Sequence, residues 1–143
     1  MIFDNEMILR FKSKSQNEGF ARMTAAAFLL ELDPTITEIS DIKTAVSEAV
    51  TNAIIHGYER KDGMVTMHCG YSGANIYIEI LDNGKGIEDI EKAREPLYTT
   101  KPHEERSGLG FTVMESFMDE VIVESAPDKG TKIVMRKTLK SLL

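Results

Sequence analysis

At 143 residues, with 42% hydrophobic and 28% charged side chains, the chain suits one globular domain able to bury about 68–70% of its unfolded surface. Its net charge of −6, with Lys and Arg spread along the chain, argues against a nucleic-acid surface, and it carries neither a membrane-length apolar run nor the basic flank of a signal peptide. Cys69 is the single cysteine, so no internal disulfide can form and a reducing, cytoplasmic setting is expected.

No repeat, low-complexity tract or linker divides the sequence, which predicts a single domain over residues 1–143. In chain order, "EMILRFKSK" alternates weakly and reads as a strand. Ser15 opens a helix, with Glu18 completing a capping box and Phe20, Met23, Ala27 and Phe28 supplying an apolar face. "LDPT" ends it, and Thr35 with Glu38 forms a second capping box before a helix that runs through "EAVTNAIIHGY", residues 48–58. "MVTMHCGY" and "NIYIEIL" alternate as strands, with Val65, Met67, Cys69 and Tyr71 on one side of the first and Ile76, Ile78 and Ile80 on one side of the second. The "SGAN" turn makes the two a hairpin. "DNGKG" breaks the chain, "IEDIEKAR" reads as a short charged helix, residues 96–107 as a loop, and "GLGFTVMESF" as a further helix. "EVIVESA" and "TKIVMRKTL", joined at "PDKG", form a final hairpin. This order predicts an α/β two-layer sandwich, a mixed sheet with helices on one face.

Three segments carry candidate chemistry. On the second helix, Ile42, Ala45, Val46, Ala49, Val50, Ala53 and Ile54 share one face, and Glu48, Asn52 and His56 line its border. A polar border can simply meet solvent; a carboxylate and an amide one turn apart can also serve as general base and metal ligand. "ILDNGKGI" ends a strand in Asp82, with Gly84 and Gly86 allowing a sharp bend or close approach, although Asp-Asn-Gly is also ordinary turn chemistry. In "TTKPHEERSGLGF" a loop rich in Thr, Lys and Arg runs into Gly108 and Gly110 at a helix start, where backbone N–H groups favour an anion. No GxxxxGK[ST] and no HRD–DFG pair is present, so neither a P-loop enzyme nor a conventional protein kinase is in view.

A helix bearing Glu and Asn, a strand-end DxGxG and a loop with GxG, in that order, resemble the N, G1 and G2 boxes of the GHKL ATPase superfamily, shared by histidine kinases, gyrase, Hsp90 and MutL. "EAVTNAIIHGY", "PLYTTKP", "ERSGLGFTVMESFMDEVIVES" and "KGT" further resemble the anti-sigma serine kinases of endospore-forming bacteria over nearly the whole chain. That resemblance implies ATP and Mg²⁺ as cofactors, Asn52 as the Mg²⁺ ligand and Glu48 as the base that activates the attacking hydroxyl. It implies that Asp82 accepts from the adenine amino group, with Gly84 and Gly86 lining the base and Thr131 supporting the site from the last hairpin. Thr99, Thr100, Lys101, Arg106, Ser107, Gly108, Leu109 and Gly110 correspond to lid contacts on ATP, and Arg22 to a partner contact. His56 receives no chemical role, and His68 and His103 are expected to face solvent.

The implied partners are a sporulation sigma factor, sigma F, and an anti-anti-sigma factor phosphorylated on serine, acting with a homodimer, without nucleic acid or membrane. Three rivals stand beside this reading: a general-stress anti-sigma B kinase, a nucleotide-dependent binding module without transfer, and a histidine-kinase-like domain without its helical hairpin. No His precedes Glu48, and no additional domain is expected, which favours a kinase whose substrate is a separate protein. Residues 96–107 hold few large apolar side chains beyond Leu97 and Tyr98. Hydrogen exchange over this segment is therefore expected to slow when Mg·ATP is added and Lys101 and Arg106 gain phosphate partners. Equal exchange with and without nucleotide contradicts a phosphate-closing lid.

Overall fold

The computed structural model describes residues 2–96 and 110–140. Five strands form one sheet: β1 (Asn5–Lys12), β2 (Met64–Ser72), β3 (Asn75–Asp82), β4 (Glu120–Ser125) and β5 (Thr131–Thr138), in the spatial order β1-β2-β3-β5-β4. The sheet is antiparallel in each of its four pairings rather than mixed: β2–β3 and β4–β5 are hairpins, whose short turns reverse the chain, and β1 runs antiparallel to β2 as β5 does to β3. The helices are α1 (Gln16–Leu29), α2 (Ile36–Asn52), the single turn α3 (Ile90–Ala93) and α4 (Gly110–Phe117).

Strand alternation sends Val65, Met67, Cys69, Ile76, Ile78, Ile80, Ile133 and Met135 into the core, while the opposite face carries polar pairs such as Glu6–His68 and Glu79–Lys132. Ile42, Ala45, Val46, Ala49 and Val50 of α2 complete the core as their periodicity predicts. Burying each Ile or Val contributes about 1.5–3 kcal/mol, so this face holds α2 more firmly than helix propensity does. The α2 start is the expected capping box: Thr35 Oγ1 accepts from Glu38 N (3.0 Å) and Glu38 Oε1 accepts from Thr35 N (2.9 Å).

Helix α1 departs from the sequence reading in two respects. Ser15 makes no side-chain cap; its hydroxyl instead accepts from Arg60 Nη1 at 3.2 Å. The buried face is Ala21, Ala25, Ala26 and Leu29, whereas Phe20 and Met23 are 57% and 54% exposed and only Phe28 of the expected face is partly covered. Three alanines let α1 lie close against α2 and the sheet, which a face of phenylalanine and methionine does not allow. The charged segment around "IEDIEKAR" narrows to α3, capped by the Asp89 carboxylate accepting from Lys92 N.

Candidate nucleotide site

Helix α2 does not continue as an α-helix through residue 58. It ends at Asn52 and passes into one π-helical turn, Ala53–Gly57, closed by Tyr58 N donating to Ala53 O at 2.9 Å. Glu48 and Asn52, both half-buried, stay one α-turn apart on α2. His56 falls in the π-turn, outside the α-helical register that spaces Glu48 and Asn52.

The π-turn abuts the end of β3. There Asp82 is 2% exposed, and its Oδ1 accepts from Gly84 N at 2.9 Å. Burial pushes this carboxyl up to about 6, with the backbone N–H groups of Gly84 and Thr131 opposing the shift. An ionisable acceptor in so dry a place is costly to the fold unless it is hydrogen-bonded, as Asp82 is by Gly84 N.

The glycines of "DNGKG" serve closeness more than open space. A Cβ on Gly84 falls 2.0 Å from the Gly57 carbonyl oxygen, so the loop lies directly on the π-turn. Gly86, at φ 75°, presses in the same way on the Ala126 carbonyl. Both glycines thus fix the path of the loop beside Asp82.

Thr131 pairs with Asp82 across β3 and β5 and is 3% exposed. Its hydroxyl lies 2.9 Å from Ser125 Oγ, which accepts from Ile87 N (2.8 Å) and donates to Gly130 O (2.7 Å). Ser125 and the Gly57–Tyr58 pair are site-building residues that motif reading passes over; the "HGY" following Asn52 is the only local trace of the latter.

Gly110 opens α4, whereas Thr99, Thr100, Lys101, His103, Arg106, Ser107, Gly108 and Leu109 lie outside the described residues. The flanks of that segment are tied together: Arg94 Nε donates to Glu115 Oε1 (2.8 Å) and Arg94 Nη2 to Val121 O (3.0 Å). His68 is partly covered and sits 2.8 Å from Glu6 Oε2 on the outer sheet face. Arg22 borders a cleft of about 360 Å³ between α1 and the end of α2, with Glu18, Thr51, Ile54 and Ile55. Its Nε is buried without a hydrogen-bond acceptor, 3.8 Å from Glu18 Oε2.

The donor set suits a magnesium nucleotide. Among the described residues no group of three His, Cys, Asp or Glu could hold a metal alone. Mg²⁺ in nucleotide sites rests on one or two protein oxygens plus phosphates and water, and the amide of Asn52, at the end of α2, is an oxygen donor of that kind.

An antiparallel sheet covered by helices on one face, with a buried strand-end carboxylate facing the end of the Asn-bearing helix, defines an ATPase-type nucleotide domain. The family model described as Histidine kinase-like ATPase domain matches residues 11–137. The fold agrees with the catalytic domain of histidine kinase ThkA (TM-score 0.57, 16% identity, covering 93% of this chain and 96% of that one). It also agrees with the RsbU and RsbW domains of a Mycobacterium tuberculosis protein (TM-score 0.68, 18% identity, covering 94% of this chain and 32% of that one). Curated relatives called Anti-sigma F factor are 62% identical over 141 residues in Thermoanaerobacter sp. (strain X514) and 60% identical over 142 residues in Clostridium botulinum (strain Eklund 17B / Type B), each alignment covering 99% of both chains. The chain belongs to the anti-sigma F factor family.

Among the described residues no helix is long and apolar enough to cross a membrane.

Proposed function

We propose that this protein is an ATP-dependent serine kinase that sequesters a sporulation sigma factor, sigma F, and phosphorylates an anti-anti-sigma factor. The observation that carries the reading is the buried, glycine-clasped carboxylate of Asp82 facing the end of a helix that bears Glu48 and Asn52, in a chain aligned end to end with anti-sigma F factors.

Mg·ATP, when bound, would supply the γ-phosphoryl group, with ADP as the leaving group, and the cation that screens the charge. Asp82 would accept the adenine amino hydrogen, and the Asn52 amide oxygen would hold the metal. Glu48, one turn earlier on α2, takes the proton from the serine hydroxyl of the protein substrate. Thr99, Thr100, Lys101, Arg106, Ser107, Gly108 and Leu109 are assigned to the phosphates on their resemblance to the family motif alone, with Gly110 at the start of α4. The exposed stripe of α1 beside Arg22 is the proposed partner face, in a single-domain protomer of an isologous homodimer working in the cytoplasm.

Incubating the protein with γ-labelled ATP and a candidate anti-anti-sigma protein tests the assignment. Label on a serine of the partner is the expected result. Label on histidine points to histidine-kinase chemistry, and no transfer despite ATP binding points to a nucleotide-dependent binding module; either overturns the proposal.

A further inference from the structure

The π-turn at the end of α2 does more than end a helix. Its last residue, Gly57, has a carbonyl oxygen that no helical N–H claims, and Lys85 N donates to it at 2.9 Å. A Cβ on Gly57 falls 2.8 Å from the Asp82 carboxylate, so only a bare backbone fits against that side chain. The next residue, Tyr58, is half-buried, and its hydroxyl bridges two segments: it accepts from Asn83 N at 2.7 Å and donates to Met64 O at 2.6 Å. Lys85 Nζ lies 3.7 Å from the Glu59 carboxylate, adding an outer tie.

Getting Tyr58 there costs backbone strain. Glu59 and Arg60 both take left-handed conformations, at φ 53° and 63°, which residues other than glycine adopt rarely. Arg60 N then donates to Ile54 O at 3.0 Å and Lys61 N to Tyr58 O at 2.9 Å, closing the reversal. Strained turns persist where surrounding contacts impose them, and here three consecutive residues, 57 to 59, each hold the loop that begins at Asp82.

We propose that Tyr58 is a positioning residue for base recognition: through Asn83 N it fixes the first peptide after Asp82 and thereby the direction in which that carboxylate faces the base. The inference rests on the assignment of Asp82 to the adenine amino group. Neither Asn83 nor Tyr58 touches the nucleotide in this scheme. Tyr58 acts through the loop, and the Met64 carbonyl orients its hydroxyl so that the oxygen lone pair faces Asn83 N.

Tyr58→Phe keeps the ring and removes only the bridge. Titrations of ATP and of inosine triphosphate, which carries a carbonyl in place of the amino group, separate positioning from general loosening. ATP binding is expected to weaken about 3- to 10-fold, the order of the one of the two lost hydrogen bonds that holds Asn83 N, while inosine triphosphate binding stays within about 2-fold of wild type. Gly57→Ala, which crowds the same carboxylate, is expected to narrow the ATP preference in the same direction. Equal losses for both nucleotides, or no loss for either, overturn the positioning role. Asp82→Asn, titrated alongside, tells the two readings apart. If it abolishes the preference for ATP while Tyr58→Phe leaves it whole, only the role of Tyr58 fails. If it keeps the preference, the adenine assignment fails and takes this inference with it.

Discussion

Glu48→Gln is expected to slow phosphoryl transfer to an anti-anti-sigma serine by about 10²–10⁴-fold while ATP and the sigma factor still bind. Positioning and charge stabilisation do most of the work in phosphoryl transfer, yet the serine hydroxyl must lose its proton as the new bond forms. A carboxylate accepts that proton and a carboxamide does not. Glutamine keeps the length and helix propensity of glutamate, so α2, its buried alanine and valine face and the Asn52 position one turn on are retained. Holding a sigma factor requires a nucleotide-bound surface but no proton transfer. Single-turnover phosphorylation and a sigma-factor pull-down, both in Mg·ATP, measure the two activities on one preparation. Transfer within a few-fold of wild type removes Glu48 from the chemistry. Loss of both activities together assigns it a structural role instead.

Asp82→Asn is expected to weaken ATP binding roughly 5- to 150-fold, the cost of an unmade buried hydrogen bond, with the fold preserved. Aspartate presents only acceptors at this buried position; an asparagine amide group directed at the adenine amino hydrogens sets donor against donor. Near-wild-type affinity in a titration sinks the adenine assignment. The same substitution has a signature in the nucleotide-free protein. Because burial raises the Asp82 carboxyl from 3.8 to about 6, the folded state holds its proton more tightly than the unfolded chain. Stability associated with this group is therefore fully present below about pH 4 and is lost as the pH rises through about 6. Asparagine does not titrate, so the unfolding free energy of the variant relative to wild type is expected to rise by roughly 2–3 kcal/mol between pH 4 and pH 7. Urea melts at the two pH values check this, and a flat difference contradicts the buried-carboxylate geometry.

Much of the architecture can be read locally. The Thr35–Glu38 capping box, the two hairpins and the buried faces of α2, β2 and β3 follow from spacing over a few residues, because helix and strand periodicities decide which side chains share a face. The placement of Asp82 at the end of β3 and of Glu48 and Asn52 one turn apart on α2 is likewise legible, since strand and helix spacing carry it. The inner face of α1 is not. Its sequence offers both an alanine face and a phenylalanine–methionine face, and only the short distance to α2 and the sheet selects the alanines. Strand direction in the sheet depends on how β1 meets β2 and β3 meets β5, pairings of residues roughly 50 to 65 apart in which turn chemistry has no part. The π-turn, the Tyr58 bridge to Asn83 and the Ser125 network likewise come from the tertiary structure. Each joins groups distant along the chain through hydrogen bonds and backbone contacts, which exist only once the end of α2, the loop after β3 and the last hairpin are packed together.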